Sequence, residues 1–241
     1  MTPKSEITAL LASKELFIFD LDGTLFNTLG DLAPAVNYAM RQFGLKAHDN
    51  EAVRSFIGNG SMNLIRRAIC KSLNVTNTTE MIVQGALEIG GFDVAKIHKL
   101  YPEFYWEHCT ENTEPYTGVI EFIRNLRENG KRIAMLTNKP VKPAEKILQK
   151  FGILDCFDVY LCGDTTPERK PSPAGIFAIL KQLSKSREAA VMIGDDTPDI
   201  MAARNASIDC ITLLEGFGKP ESLLPLQPKY TTGHIKDLYH L

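Results

Sequence analysis

Asp20 and Asp22 stand one leucine apart at the end of a short apolar run, with Gly23, Thr24 and Leu25 directly after them. Two carboxylates at this spacing can divide a phosphoryl transfer. One attacks phosphorus and carries the group as an acyl-phosphate; the other protonates the departing alkoxide and then takes a proton from water. Gly23 allows the backbone a close approach to phosphoryl oxygens. Further along come Thr137-Asn138-Lys139, Lys170-Pro171 and Gly194-Asp195-Asp196-Thr197-Pro198-Asp199. A threonine hydroxyl and a lysine ammonium balance charge on a transferring phosphoryl group. Two carboxylates plus a third make a hard oxygen site of the kind Mg²⁺ prefers. Singly, each motif has a plain structural explanation: a solvated turn, a helix cap, an ordinary loop, a helix N-terminal charge pair. Their joint occurrence, in order, is the signal.

The elements that must position these residues are read from apolar runs. Leu16–Phe19, Arg132–Leu136, Phe157–Cys162, Ala190–Ile193 and Cys210–Leu214 are candidate buried parallel strands. Between them, Val119, Phe122, Ile123 and Leu126 repeat with the spacing of one helical face, as do Ala144, Ile147, Leu148 and Phe151, and Ile176, Ile179, Leu180 and Leu183. Ser172-Pro173 and Thr197-Pro198 read as capping hydroxyls before a proline at the first helical position, and Gly130 and Gly152 as helix ends. Strand–helix–strand alternation predicts an α/β fold with a parallel sheet covered on both faces. Each chemical motif then falls at a strand's carboxyl end, where open sheets of this kind bind ligands.

The first two strands lie too far apart for one crossover helix. The interval carries helical stripes, Leu29, Leu32, Val36, Met40 and Phe43 in one and Leu64–Ile69 in another, and reads as an inserted helical subdomain. Residues 1–27 and 115–241 form the expected core, residues 28–114 the insertion, with hinges near Phe26–Thr28 and Glu114–Thr117.

This combination resembles the haloacid dehalogenase superfamily of phosphohydrolases over nearly the whole chain. The resemblance implies a Rossmann-like core of five or six parallel strands and an α-helical cap that closes over small substrates. It implies that Asp20 is the nucleophile, Asp22 the general acid/base, Thr137 a ligand of a phosphoryl oxygen and Lys170 a partner of nucleophile and phosphate. Asp195 would complete a Mg²⁺ site with Asp20 and the backbone carbonyl of Asp22, with Asp199 supporting the metal or its waters. Asp22 argues against the dehalogenases and the phosphonate-cleaving members, which lack that second aspartate.

Phe56-Ile57-Gly58-Asn59-Gly60, Thr137-Asn138-Lys139-Pro140 and Arg169-Lys170-Pro171-Ser172-Pro173 look like the phosphoglycolate phosphatase group. Gly58, Asn59 and Gly60 could present N–H groups to a substrate carboxylate, and Gly23 and Asn138 join them as expected substrate contacts. Arg54, Arg66 and Arg67 are candidate cap cations. Asp196 and the segment Phe217-Gly218 depart from the usual pattern of that group.

Charge and composition bound the rest. A net charge of −2 gives no overall basic balance for nucleic acid. No apolar stretch is long enough for a membrane span, and the five cysteines lack any CxxC pair and read as buried reduced thiols. The expected protein is cytoplasmic, a monomer or homodimer, and acts on a small phosphorylated metabolite. Two other readings share these residues: a phosphosugar mutase of the β-phosphoglucomutase type, and a catalytically idle phosphate-binding protein.

Overall fold

The computed structural model describes residues 1–58, 60–75, 88–166 and 168–239. Helix α1 (Lys4–Ser13) leads into β1 (Leu16–Phe19) and the short β2 (Phe26–Asn27). The inserted segment follows, with α2 (Leu29–Gln42), α3 (Asn50–Phe56), α4 (Ser61–Ser72), a hairpin of β3 (Glu88–Ile89) and β4 (Phe92–Asp93), and α5 (Val94–His108). From β5 (Glu114–Pro115) onward, helices and strands alternate: α6 (Val119–Glu128), β6 (Arg132–Leu136), α7 (Val141–Lys150), β7 (Val159–Leu161), α8 (Ala174–Leu183) and β8 (Ala190–Gly194). The chain ends through α9 (Thr197–Ala206), β9 (Asp209–Leu213), α10 (Pro220–Leu223), β10 (Tyr230–Thr232) and α11 (Lys236–Tyr239).

Two compact units result: Met1–Asn27 with Glu114–Leu241, and Thr28–Thr113. In the first, six strands form one sheet in the order β10-β9-β8-β1-β6-β7, every pair parallel. The chain moves outward from β1 through β6 and β7, then returns to the other side of β1 with β8. That reversal makes the crevice beyond β1 and β8 a topological switch point, the place where such sheets bind ligands. Phe19 pairs with Ile193 across it, so Asp20 and, one glycine later, Asp195 emerge side by side.

The central strand is buried on both faces, which explains its unbroken apolar run. Phe17 and Phe19 pack with Val119, Phe122, Ile123, Ile147 and Leu148 on one face. Leu16 and Ile18 pack with Ile176, Ile179, Ala202 and Ala203 on the other. The third apolar run forms a strand over Val159–Leu161 only. Asp158 is drawn out of it by Arg127 and Arg132 and by the N–H of Ile133. Tyr230–Thr232 supplies an edge strand that no apolar run announced.

Helix α9 starts at Thr197, one residue earlier than its proline suggested. The cap is Asp196, whose carboxylate accepts from Thr197 N at 2.7 Å, while Asp199 accepts from Asp196 N at 3.0 Å to close a capping box. The Thr197 hydroxyl is therefore not the cap. Likewise α8 begins at Ala174 rather than at Pro173, although the Ser172 hydroxyl still accepts from Ala174 N at 3.2 Å.

In the second unit, Leu32, Val36 and Met40 form the buried stripe of α2, while Leu29 and Phe43 at its ends are half-buried. Asp31 is 2 % exposed and accepts four hydrogen bonds, from the N and Nδ2 of Asn112 and from the N and Oγ1 of Thr113. The first and last residues of this unit are thereby tied together. Next to them in the first unit, β2 and β5 pair antiparallel, Phe26 with Pro115 and Asn27 with Glu114.

Arg67 donates from Nη1 to the carbonyls of Phe56, Ile57 and Gly58, at 2.7, 3.2 and 3.0 Å. It thus satisfies the carbonyls at the end of α3. Arg66 donates to Asn63 and Arg54 lies 4.0 Å from Glu51. Gly58 and Gly60 both adopt positive φ, at 103° and 85°; Asn59 lies outside the described residues. The five cysteines are free thiols, Cys70, Cys109 and Cys162 buried, Cys156 and Cys210 only half-buried. Among the described residues no helix is long and apolar enough to cross a membrane.

Candidate active site

Strand ends bring four carboxylates and two lysines together in the first unit. Asp20, Asp195 and Asp199 each place an oxygen within 4.8 Å of the others. Lys170, 4 % exposed, sets its Nζ 2.8 Å from Asp20 Oδ1 and 2.5 Å from Asp199 Oδ1. Although Asp20 Oδ1 is at ion-pair distance, no donor among the described residues is aligned with this buried oxygen for a hydrogen bond. Burial pushes the Asp20 carboxyl up to about 6, with Lys170 pulling it back and Asp199 and Asp22 adding to the rise. Burial also opposes the charge on Lys170, but Asp199 and Asp20 outweigh it and hold that ammonium above its usual range.

Asp195 is fully buried, and its carboxyl is raised well above the ordinary value by burial first, then by Asp199 and Asp20. Its oxygens are oriented from two sides. Oδ1 accepts from Thr24 Oγ1 at 2.6 Å, and Oδ2 from Phe217 N at 2.7 Å. The backbone on either side of this carboxylate leaves no room for a methyl group. A Cβ on Gly23, which has φ +84°, would meet Asp195 Oδ2 at 2.2 Å; one on Gly216 would meet Asp195 Cβ at 2.3 Å. One on Gly218 would meet Asp195 O at 2.1 Å. Gly23, expected to face phosphate, is required in this structure by Asp195.

Asp199 is 1 % exposed and uses both oxygens within the protein. Oδ1 takes the Lys170 ammonium, and Oδ2 accepts from the N–H groups of Asp195 and Asp196 at 3.1 and 3.0 Å. Asp196 is occupied as the cap of α9, its carboxyl raised chiefly by burial. The Asp-Asp pair therefore splits into one residue turned to the site and one that starts the helix.

Asp22 is half-buried, and Lys139 grips it with two contacts, Nζ to Oδ1 at 2.8 Å and to Oδ2 at 3.1 Å. Thr137 is 3 % exposed at the end of β6, and its Oγ1 accepts from Lys139 N at 3.2 Å. Asn138, expected at the substrate, has its amide engaged elsewhere. Nδ2 donates to Lys170 O and Oδ1 accepts from Lys170 N, both at 3.0 Å. Sequence reasoning gave no role to three parts of this arrangement: Lys139, Thr24 and the Gly216–Gly218 wrap. Two glycines flanking an aromatic residue after β9 were the available signal for the wrap.

The donor set suits a hard divalent cation. Asp20 Oδ1 is a buried carboxylate oxygen with no aligned hydrogen-bond donor among the described residues, and two further carboxylates lie within reach. Burial is the main cause of the raised carboxyls of Asp20 and Asp195, and the neighbouring carboxylates add to it; a cation would relieve both effects.

Comparison with known proteins gives the same outline. Residues 17–213 match the family model described as haloacid dehalogenase-like hydrolase. A phosphoglycolate phosphatase of Psychrobacter arcticus is 34% identical over 215 residues, covering 89% of this chain and 90% of its own. A phosphoglycolate phosphatase of Colwellia psychrerythraea is 33% identical, with 95% of this chain and 96% of its own covered. The crystal structure of a protein from Haemophilus somnus, described as a predicted phosphoglycolate phosphatase, superposes with a TM-score of 0.82 at 28% identity, covering 95% of this chain and 97% of its own.

Proposed function

Since the chain belongs to the haloacid dehalogenase-like hydrolases, we propose that it is a cytosolic Mg²⁺-dependent phosphatase for a small phosphate monoester, first among them 2-phosphoglycolate. The observation that carries this reading is the Asp20 carboxylate at the switch point, 2.8 Å from Lys170 Nζ, with Asp22 two residues on.

A carboxylate oxygen of Asp20 attacks phosphorus and the ester P–O bond breaks. Asp22 gives its proton to the leaving alkoxide, so the alcohol departs neutral. Water then attacks the phosphorus of the aspartyl-phosphate, Asp22 takes the proton that water loses, and Asp20 is released as a carboxylate with inorganic phosphate. Lys170 and the Thr137 hydroxyl balance the negative charge on the phosphoryl oxygens in both steps. Asp20, Asp195 and the backbone carbonyl of Asp22 would hold Mg²⁺, which supplies Lewis-acid stabilisation of the same charge when bound. Asp199, already committed to Lys170 and two N–H groups, orients these ligands.

The names of the relatives and the Phe56–Gly60, Thr137–Pro140 and Arg169–Pro173 segments support phosphoglycolate. Gly58, Asn59 and Gly60 are assigned to the substrate's carboxylate on the sequence alone. The deciding experiment compares kcat/KM over a panel of small phosphate esters in Mg²⁺, with 2-phosphoglycolate, sugar phosphates and pyrophosphate included. Asp20→Asn should lose turnover by about 10⁴-fold or more. Full activity in that variant, or in EDTA, would overturn the chemistry; a clear preference for pyrophosphate would overturn the substrate.

A further inference from the structure

We propose that Lys139 is the positioning residue for the acid/base Asp22, a role that rests on the phosphatase reading above. The two aspartates of the motif are each matched to a buried lysine from a different strand end: Asp20 to Lys170 and Asp22 to Lys139. The Lys139 side chain is only 3 % exposed, and its ammonium spans both Asp22 oxygens at 2.8 and 3.1 Å. A buried ammonium costs several kcal/mol to desolvate and is retained where it has a fixed anionic partner.

The backbone of Lys139 is fixed too. Its N–H donates to Thr137 Oγ1 at 3.2 Å, and its carbonyl accepts from Gly163 N at 2.9 Å. A Cβ on Gly163 would meet Asn138 O at 2.3 Å, so the chain passes there at a distance only glycine permits. One short segment thus holds three assignments: Thr137 for the phosphoryl group, Asn138 for the Lys170 backbone and Lys139 for Asp22.

A general acid works only from a defined place beside the leaving oxygen. Asp22 follows the strand and is partly open to solvent, so the Lys139 fork fixes the plane and direction of its carboxylate. The consequence depends on the leaving group. An alkoxide needs the proton Asp22 delivers as the ester P–O bond breaks, whereas p-nitrophenolate departs without one. In the second step water must lose its proton to Asp22 whatever the first leaving group was.

The test uses Lys139→Met and Lys139→Arg in the full chain with Mg²⁺, on 2-phosphoglycolate and p-nitrophenyl phosphate, in the steady state and in rapid mixing. For Lys139→Met on the alkyl ester, kcat should fall about 100-fold with KM within about threefold of wild type. On p-nitrophenyl phosphate the same variant should release a rapid stoichiometric burst of phenolate and then turn over slowly. Lys139→Arg, which keeps the charge, should recover at least about a tenth of the lost kcat. Equal slowing of the burst and the alkyl ester would overturn the positioning role, as would a raised KM with unchanged kcat. If Lys139→Met fails to fold, Lys139→Arg carries the test: a slowed alkyl ester with an intact burst supports the role, and uniform slowing overturns it. Absence of turnover in the wild-type protein on both esters would overturn the phosphatase reading and this inference with it; an aberrant leaving-group pattern alone overturns only the inference.

Discussion

Asn138 holds Lys170 by both poles of its backbone: the amide Nδ2 donates to Lys170 O and Oδ1 accepts from Lys170 N, each at 3.0 Å. The lysine's position beside Asp20 and Asp199 is therefore set from another strand end, across 32 residues of chain. Asn138→Ala releases that loop without touching the ammonium. We expect kcat to fall by about 10–100-fold, the scale of an ångström of misplacement. KM should move little, since the amide is occupied by protein. Steady-state kinetics on the preferred ester decides it, and a KM effect without a kcat effect returns Asn138 to the substrate.

Gly23 and Asp195 form a second dependency. Gly23→Ala places a methyl group on the carboxylate and adds a left-handed backbone that alanine adopts at a cost of about 1–2 kcal/mol. The Mg²⁺ concentration for half-maximal activity should rise about 10–100-fold, as it does when groups orienting a metal ligand are disturbed. Gly44→Ala is the control, because Gly44 has φ +69° with nothing within 4 Å of its Cβ. That variant should lose only the backbone cost of about 1–2 kcal/mol and keep the Mg²⁺ dependence of the wild type.

Acid should stabilise the metal-free protein in a defined window. Asp20 rises from an ordinary 3.8 to about 6 on folding, so the folded state binds the proton more tightly. Its contribution to stability is fully present below about pH 3.8 and is lost as pH rises through about 6, and Asp195 shifts in the same direction. In EDTA, Tm should therefore drop between about pH 4 and 6 more steeply for wild type than for Asp20→Asn. Mg²⁺ should raise Tm most at the upper end of that window. Parallel Tm profiles for the two proteins would contradict the burial-raised carboxyl of Asp20.

In the inserted unit, Asp31→Ala removes an acceptor that serves four donors, two of them on buried Thr113. A loss of about 2–4 kcal/mol follows, with Asp31→Asn intermediate because one carbonyl oxygen remains. Hydrogen exchange at the amides of Asn112 and Thr113 should report it directly.

The strand ends were legible because the central strands are buried on both faces and read as continuous apolar runs closing on a polar residue. Tyr230–Thr232 was not, because an edge strand of three mixed residues carries neither an apolar run nor a clean alternation. The acids and Lys170 could be named from type and order. What orients them could not: Asn138, Lys139, Thr24 and the Gly216–Gly218 wrap act through contacts made by residues distant in sequence. Asp196 shows the same limit. In the sequence it is only an unusual neighbour of Asp195, and the start of α9 reveals it as a cap.

The pairing of Asn27 with Glu114 means that the inserted unit departs and returns at adjacent points of the sheet-bearing unit. Such a segment can be lengthened, shortened or exchanged for another without re-routing any strand of the sheet or moving Asp20, Asp22, Asp195 or Asp199. A chimera that swaps Thr28–Thr113 for a relative's insertion should therefore retain the strand order of the sheet and the aspartates at its strand ends.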